Sequence, residues 1–172
     1  MRIYDGSPRQ DWEEVLRTVG AYADGERIKE ILFLELDAGF ILQGLAQPKT
    51  SAWSEGSGSL TKHTFELIED QIGQLLDQQA AARTGSDSQV PQADIGHYYE
   101  QALRVLGAYI DTQKARDVFF FEQDGSFVLR LLVTDASGAI GHSLAEFTRD
   151  EILGMIEAAP QQRRTVSETP GA

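Results

Sequence analysis

Hydrophobic positions along this chain fall into two helical stripes, each followed by short strand-like runs, and the second set echoes the first. Trp12, Val15, Leu16, Val19 and Tyr22 recur at the spacing of one helix face, as do Tyr99, Ala102, Leu103, Leu106 and Tyr109. Ser7 with Pro8 and Gln10 has the chemistry of an N-cap for the first helix, and Asp94 takes that place for the second. Residues Ile28 to Leu36 and Ala115 to Gln123 are too short and too rich in Phe, Ile and Val for helices and predict strands. Turns follow at Asp37-Ala38-Gly39 and Asp124-Gly125, the latter suited to the positive backbone dihedrals of a tight hairpin. Phe40 to Ala46 and Phe127 to Thr134 return as second strands, and Leu60 to Leu67 and Ile140 to Phe147 supply third ones. A closing helix is expected near Ile68, with Ile72, Leu75 and Leu76, and another after Thr148, with Ile152, Met155 and Ile156. In the latter, Thr148 and Glu151 form a capping box.

The echo extends to residue identity. One constant offset carries Leu16-Arg17 onto Leu103-Arg104, Gly20-Ala21-Tyr22 onto Gly107-Ala108-Tyr109, Asp24 onto Asp111, Phe33 onto Phe120, and Glu35 onto Glu122. About a third of the aligned positions are identical without a gap, which points to a tandem duplication. The expected organisation is repeat 1 over 1–82, a Gly, Ser, Asp, Gln and Pro linker over 83–94, repeat 2 over 95–159, and a disordered tail over 160–172. The fold class is α+β: two helix–three antiparallel strands–helix units sharing one continuous six-stranded antiparallel sheet with helices on one face. Glycine inside a helix costs roughly 1 kcal/mol relative to Ala, so Gly20 and Gly107 imply close approach of another backbone.

The run Val118-Phe119-Phe120-Phe121 is apolar at successive positions, so both faces of its strand should meet something other than water. Helices cover one face; the other is open to a partner sheet, a second copy, a ligand, or shielding loops. The copies diverge between strands two and three, where the first has a Gln47 to Ser59 loop ending in Gly56-Ser57-Gly58-Ser59 and bearing Trp53. Trp53 either folds onto the core or contacts a partner.

With 172 residues there is enough chain for a core, and a net charge of −12 disfavours polyanions and anionic membranes as partners. There is no cysteine, no signal-like N-terminus and no run of roughly 20 apolar residues, so a soluble cytoplasmic protein is expected.

Candidate chemistry is sparse. His63 and Glu66 would lie on opposite strand faces, whereas His142 and Glu146 would share one, so the copies build no common metal site. His97 reads as a surface residue in the first turn of its helix. Glu35 and Glu122, and Asp37 and Asp124, recur, but read as strand ends entering water and as turn chemistry rather than as acid and base. The cations Arg27 and Lys29 recur as Lys114 and Arg116; local pairing with Glu30 and Asp117 is the first expectation, a phosphate-binding surface the second. Phosphate loops, dinucleotide fingerprints and nucleophile elbows are absent. Catalytic, cofactor and metal residues are therefore expected to be none.

The sequence points to a non-enzymatic interaction module, an intrachain pseudo-dimer whose sheet face contacts a protein partner or a second copy. Its candidate contact residues are Trp53, Phe119, Phe121, Arg27, Lys29, Lys114 and Arg116. The alternatives are a nucleic-acid binder using the paired cations, and a ligand sensor or enzyme with a pocket between the repeats where Tyr22 and Tyr109 approach.

Overall fold

The computed structural model describes residues 11–37, 39–46, 61–68, 74 and 98–159; residues 61–68 are described in their backbone alone. The chain is α+β; its described residues give three bounded helices, α1 (Trp12–Glu26), α2 (Tyr98–Gln113) and α3 (Arg149–Ala158), and an antiparallel sheet. Its strands are β1 (Ile28–Leu36), β2 (Gly39–Ala46), β3 (Thr61–Ile68), β4 (Arg116–Gln123), β5 (Ser126–Thr134) and β6 (Ile140–Phe147), in the order β3-β2-β1-β4-β5-β6. The loop carrying Trp53, the helix expected from Ile68, the linker and the tail lie outside the described residues, except that Gln74 is helical and exposed.

Local chemistry closes the hairpins. Asp124 and Gly125 both adopt positive φ, 52° and 81°, as a two-residue hairpin turn requires. Asp135 Oδ1 accepts hydrogen bonds from the Ser137 and Ala139 amides at 2.8 and 3.0 Å, fixing the β5–β6 turn. Thr148 and Glu151 form the capping box expected at the start of α3.

The start of α1 differs from the sequence expectation. Its N-cap is Asp11, not Ser7, and the Asp11 side chain accepts from the Glu14 amide at 2.9 Å. A second carboxylate comes from far along the chain: Asp111 accepts from the Trp12 and Glu13 amides, both at 3.0 Å. Asp24 does the same for α2, accepting from Tyr99 and Glu100 at 3.1 and 2.9 Å. Each helix thus ends beside the N-terminus of its neighbour, where a carboxylate meets orphan N–H groups and the positive end of the macrodipole. A cap supplied from a distant residue cannot be read from the local sequence.

This antiparallel helix pair is close enough to exclude a methyl group. A Cβ added at Gly20 would lie against the Tyr99 carbonyl and 2.7 Å from Glu100 Cα; one at Gly107 would meet the Trp12 carbonyl and stand 2.7 Å from Glu13 Cα. The same seam carries two ion pairs, Arg17 Nε to Glu100 Oε1 at 3.0 Å and Arg104 to Glu13 Oε1 at 3.4 Å. Arg17 and Arg104 are buried, so their recurrence is explained by the helix seam and not by a ligand surface. Tyr22 and Tyr109 do not approach each other. The register that sets Gly20 on Tyr99 and Gly107 on Trp12 leaves them about 18 Å apart along the helix axes. Tyr109 packs edge-on against Phe147, with ring centroids 5.1 Å apart.

Beneath the helices, the core centres on Phe33 and Phe120, directly opposed across the β1–β4 pair. Their rings stack at 4.9 Å and 8°, with Phe40 and Phe127 flanking them. Only Leu32–Phe121, Phe33–Phe120 and Leu34–Phe119 pair between β1 and β4, because each strand bulges before that point. Glu30 and Asp117 take positive φ, 53° and 48°, at the two bulges. The extra residue re-phases the strand, so that Ile28 and Ile31 both reach the core, as do Ala115 and Val118.

Gly20→Ala or Gly107→Ala is expected to lose about 1–3 kcal/mol by forcing the helices apart. Gly154→Ala, in open space on α3, should instead gain up to about 1 kcal/mol. Urea unfolding of the three variants checks both signs.

Candidate interaction surface

The recurring carboxylates lie at the bulges. Glu35 and Glu122 are half-buried on the helix side of the sheet, a correction to the expectation that they mark strand ends entering water. Glu35 Oε2 accepts from the Val118 amide at 2.8 Å, and Glu122 Oε2 accepts from the Ile31 amide at 3.4 Å. Each glutamate lies opposite the bulged segment of the other strand and supplies an acceptor where the backbone ladder fails. The Tyr99 hydroxyl also donates to Glu122 at 2.8 Å. Its counterpart Trp12 has a buried indole N–H that makes no hydrogen bond among the described residues.

Burial pushes both glutamates above the ordinary carboxylate range, against the lowering effect of the Val118 amide on Glu35 and of the Tyr99 hydroxyl and then the Ile31 amide on Glu122. Burial, and then the charge of Glu122, also pushes the Tyr99 hydroxyl up, so it remains a donor. Two raised carboxylates could divide acid and base roles. Here each is used by a backbone N–H of the opposite strand, which is a structural task.

The exposed cations do not make the local pairs expected of them. Arg27, Lys29, Lys114 and Arg116 are exposed and form no ion pair with Glu30 or Asp117 among the described residues. Arg27 and Lys114 take the left-handed position just after α1 and α2, with φ of 55° and 48°, where a cation complements the helix C-terminus. Because β1 and β4 run antiparallel, Lys29 and Arg116 stand at opposite ends of the pair, roughly 25 Å apart along the strands. They do not gather into one phosphate-binding patch. Among the described residues no group of His, Asp and Glu is arranged to hold a metal ion, and His142 is exposed beside Leu132 of β5.

What the tertiary structure does assemble is the outer face of the sheet. Alternation from the buried Phe33, Phe120, Leu129 and Phe127 turns Leu32, Leu34, Phe119, Phe121, Val128 and Arg130 outward. The register aligns them in a row of Ile41, Leu34, Phe119, Arg130 and Leu144. The next row is Gln43, Leu32, Phe121, Val128 and Glu146. The Arg130 guanidinium lies 5.6 Å over the Phe119 ring, and Phe119 and Phe121 are 6.1 Å apart. The rows end on β6, where Leu144 is 76% and Ile140 69% exposed. Phe119 and Phe121 thus share this face; Trp53 lies outside the described residues. The apolar character of β4 was visible in the sequence, whereas Leu144 and Ile140, on a strand of mixed composition, were missed. No described helix is long and apolar enough to cross a membrane.

Glu122→Gln keeps an acceptor for Ile31 but carries no charge. A carboxyl whose folded pKa is raised contributes stability that is fully present below its unfolded pKa and lost as pH rises through the folded one. The variant is therefore expected to be more stable than the parent at about pH 7.5, with the difference shrinking toward about pH 5. Paired denaturation curves across that range check the sign.

Compared with known proteins, the chain matches no family model, no curated protein and no solved structure.

Proposed function

We propose that this protein is an interaction module without catalytic activity, whose outer sheet face contacts a protein partner or a second copy of the chain. The observation that carries the reading is the exposure of Leu144, 76%, at the end of the row running through Ile41, Leu34 and Phe119. An exposed Leu alone is ordinary, but one continuous with half-buried aliphatic and aromatic residues on a single face marks a contact surface.

The reading includes the architecture: a tandem duplication in which two helix–three strands–helix units form a pseudo-dimer sharing one six-stranded sheet. It is supported by the reciprocity of the seam, where Gly20 answers Gly107, Asp24 answers Asp111, the Arg17–Glu100 pair answers Arg104–Glu13, and Glu35 answers Glu122. With its polar groups committed to joining the halves, the helix side serves the fold and the sheet face is left for recognition.

Photocrosslinking in cells tests the assignment. A benzoylphenylalanine introduced at Leu144 or Phe119 is expected to give discrete adducts, with the chain itself or with a partner. The same substitution at Glu157, exposed on α3, should give none. Absence of adducts from the sheet face, or the same adducts from Glu157, would remove the reading.

A further inference from the structure

Among the described residues strand β6 ends the sheet, and it lacks the proline, lysine or bulge that terminal strands ordinarily carry. It pairs with β5 in unbroken register from Phe147 to Ile140, without a bulge, and contains neither proline nor lysine. Such a strand is a template for a further one. Ile140 and Leu144 are the exposed large hydrophobic residues among those described, and both project on the outer face of this strand.

The charge beside the edge has a sign opposite to that of the whole chain. Arg130 lies directly beside Leu144, and Arg116 lies beyond Leu132 in the row that ends at His142. Arg116, Arg130 and His142 are all exposed, and Glu146 is the one carboxylate that β6 places on this face. Neither arginine makes an ion pair among the described residues; Arg130 is held over Phe119 instead. Among the described residues, a chain of net charge −12 therefore presents exposed apolar side chains on its last strand, with the exposed guanidinium of Arg130 one strand in and that of Arg116 two strands in.

We propose that β6 accepts an extended, acidic segment of a partner protein as an additional antiparallel strand. Backbone hydrogen bonds to the β6 edge supply affinity without sequence preference, as in other strand additions. Specificity comes from the outer face of the added strand, where apolar residues cover Ile140 and Leu144 and a carboxylate between them reaches toward Arg130, one strand in from the edge, while Arg116, two strands in, adds to the positive potential. The chain's own tail is a poor occupant, since Arg163 and Arg164 bring the wrong sign, and a second copy brings another −12. The inference rests on the interaction-module reading and names the kind of partner it would take.

A fluorescein-labelled peptide of repeating Val-Thr-Glu-Thr, which sets valine and glutamate by turns on one face of a strand, is the probe, with lysine in place of glutamate as its control. Fluorescence anisotropy is expected to show the acidic peptide binding at least about tenfold more tightly than the basic one, with affinity falling as salt rises. Arg130→Glu and Leu144→Asp, both at exposed positions, should each weaken binding about tenfold or more while leaving the circular dichroism unchanged. Hydrogen exchange should slow at the β6 amides when the peptide binds. Equal binding of the two peptides, no binding of either, or indifference to Arg130→Glu would overturn the proposal. So would sedimentation showing a dimer that Leu144→Asp splits, because a second copy would then hold the edge. In each of these cases, sheet-face crosslinks would leave the broader reading standing.

Discussion

The structure depends on how closely α1 and α2 approach. Two backbones that leave no room for a methyl group at Gly20 or Gly107 fix the helix pair in one register. That register brings Asp24 and Asp111 to the opposite N-termini and aligns Arg17 with Glu100 and Arg104 with Glu13. Burying two ion pairs costs desolvation that their attraction repays only with good geometry. The geometry here comes from the glycine contact, which fixes the residues on either side of it.

The sheet solves a related problem at its centre. Strands β1 and β4 meet over only three residue pairs, because the bulges that turn Ile31 and Val118 inward also interrupt the ladder. Amides left unpaired near a core cost more than an average hydrogen bond gains, and Glu35 and Glu122 answer them from the opposite strand. These carboxylates are raised above their ordinary range by burial, so the protein tolerates an electrostatic cost to complete the join. Placed on a helix-covered face, they are structural groups despite having the shifted titration often associated with catalysis.

A division of labour follows between the two sides of the sheet. Polar residues that recur between the halves, including Arg17, Arg104, Asp24, Asp111, Glu35 and Glu122, work at the seam. On the outer face, β6 carries Ile140 and Leu144 with Arg130 beside Leu144, and nothing in the recurring pattern singles these three residues out. The recurring polar residues mark where α1 meets α2 and where β1 meets β4.

The sequence by itself determined the elements that depend on neighbours in the chain. The helical stripes, the hairpin at Asp124-Gly125, the capping box at Thr148, and the close approach at Gly20 and Gly107 are all local chemistry or periodicity. Only the tertiary structure decided matters that depend on partners far along the chain: the Asp111 and Asp24 carboxylates at the N-termini of α1 and α2, the burial of Glu35 and Glu122, and the separation of Tyr22 from Tyr109. It also decided which residues share the outer face, because one bulge residue shifts the alternation of a strand and sends its side chains to the opposite side. A spacing of two in the sequence carries no sign of such a bulge, so the row from Ile41 to Leu144 emerges only when the strands are set in register.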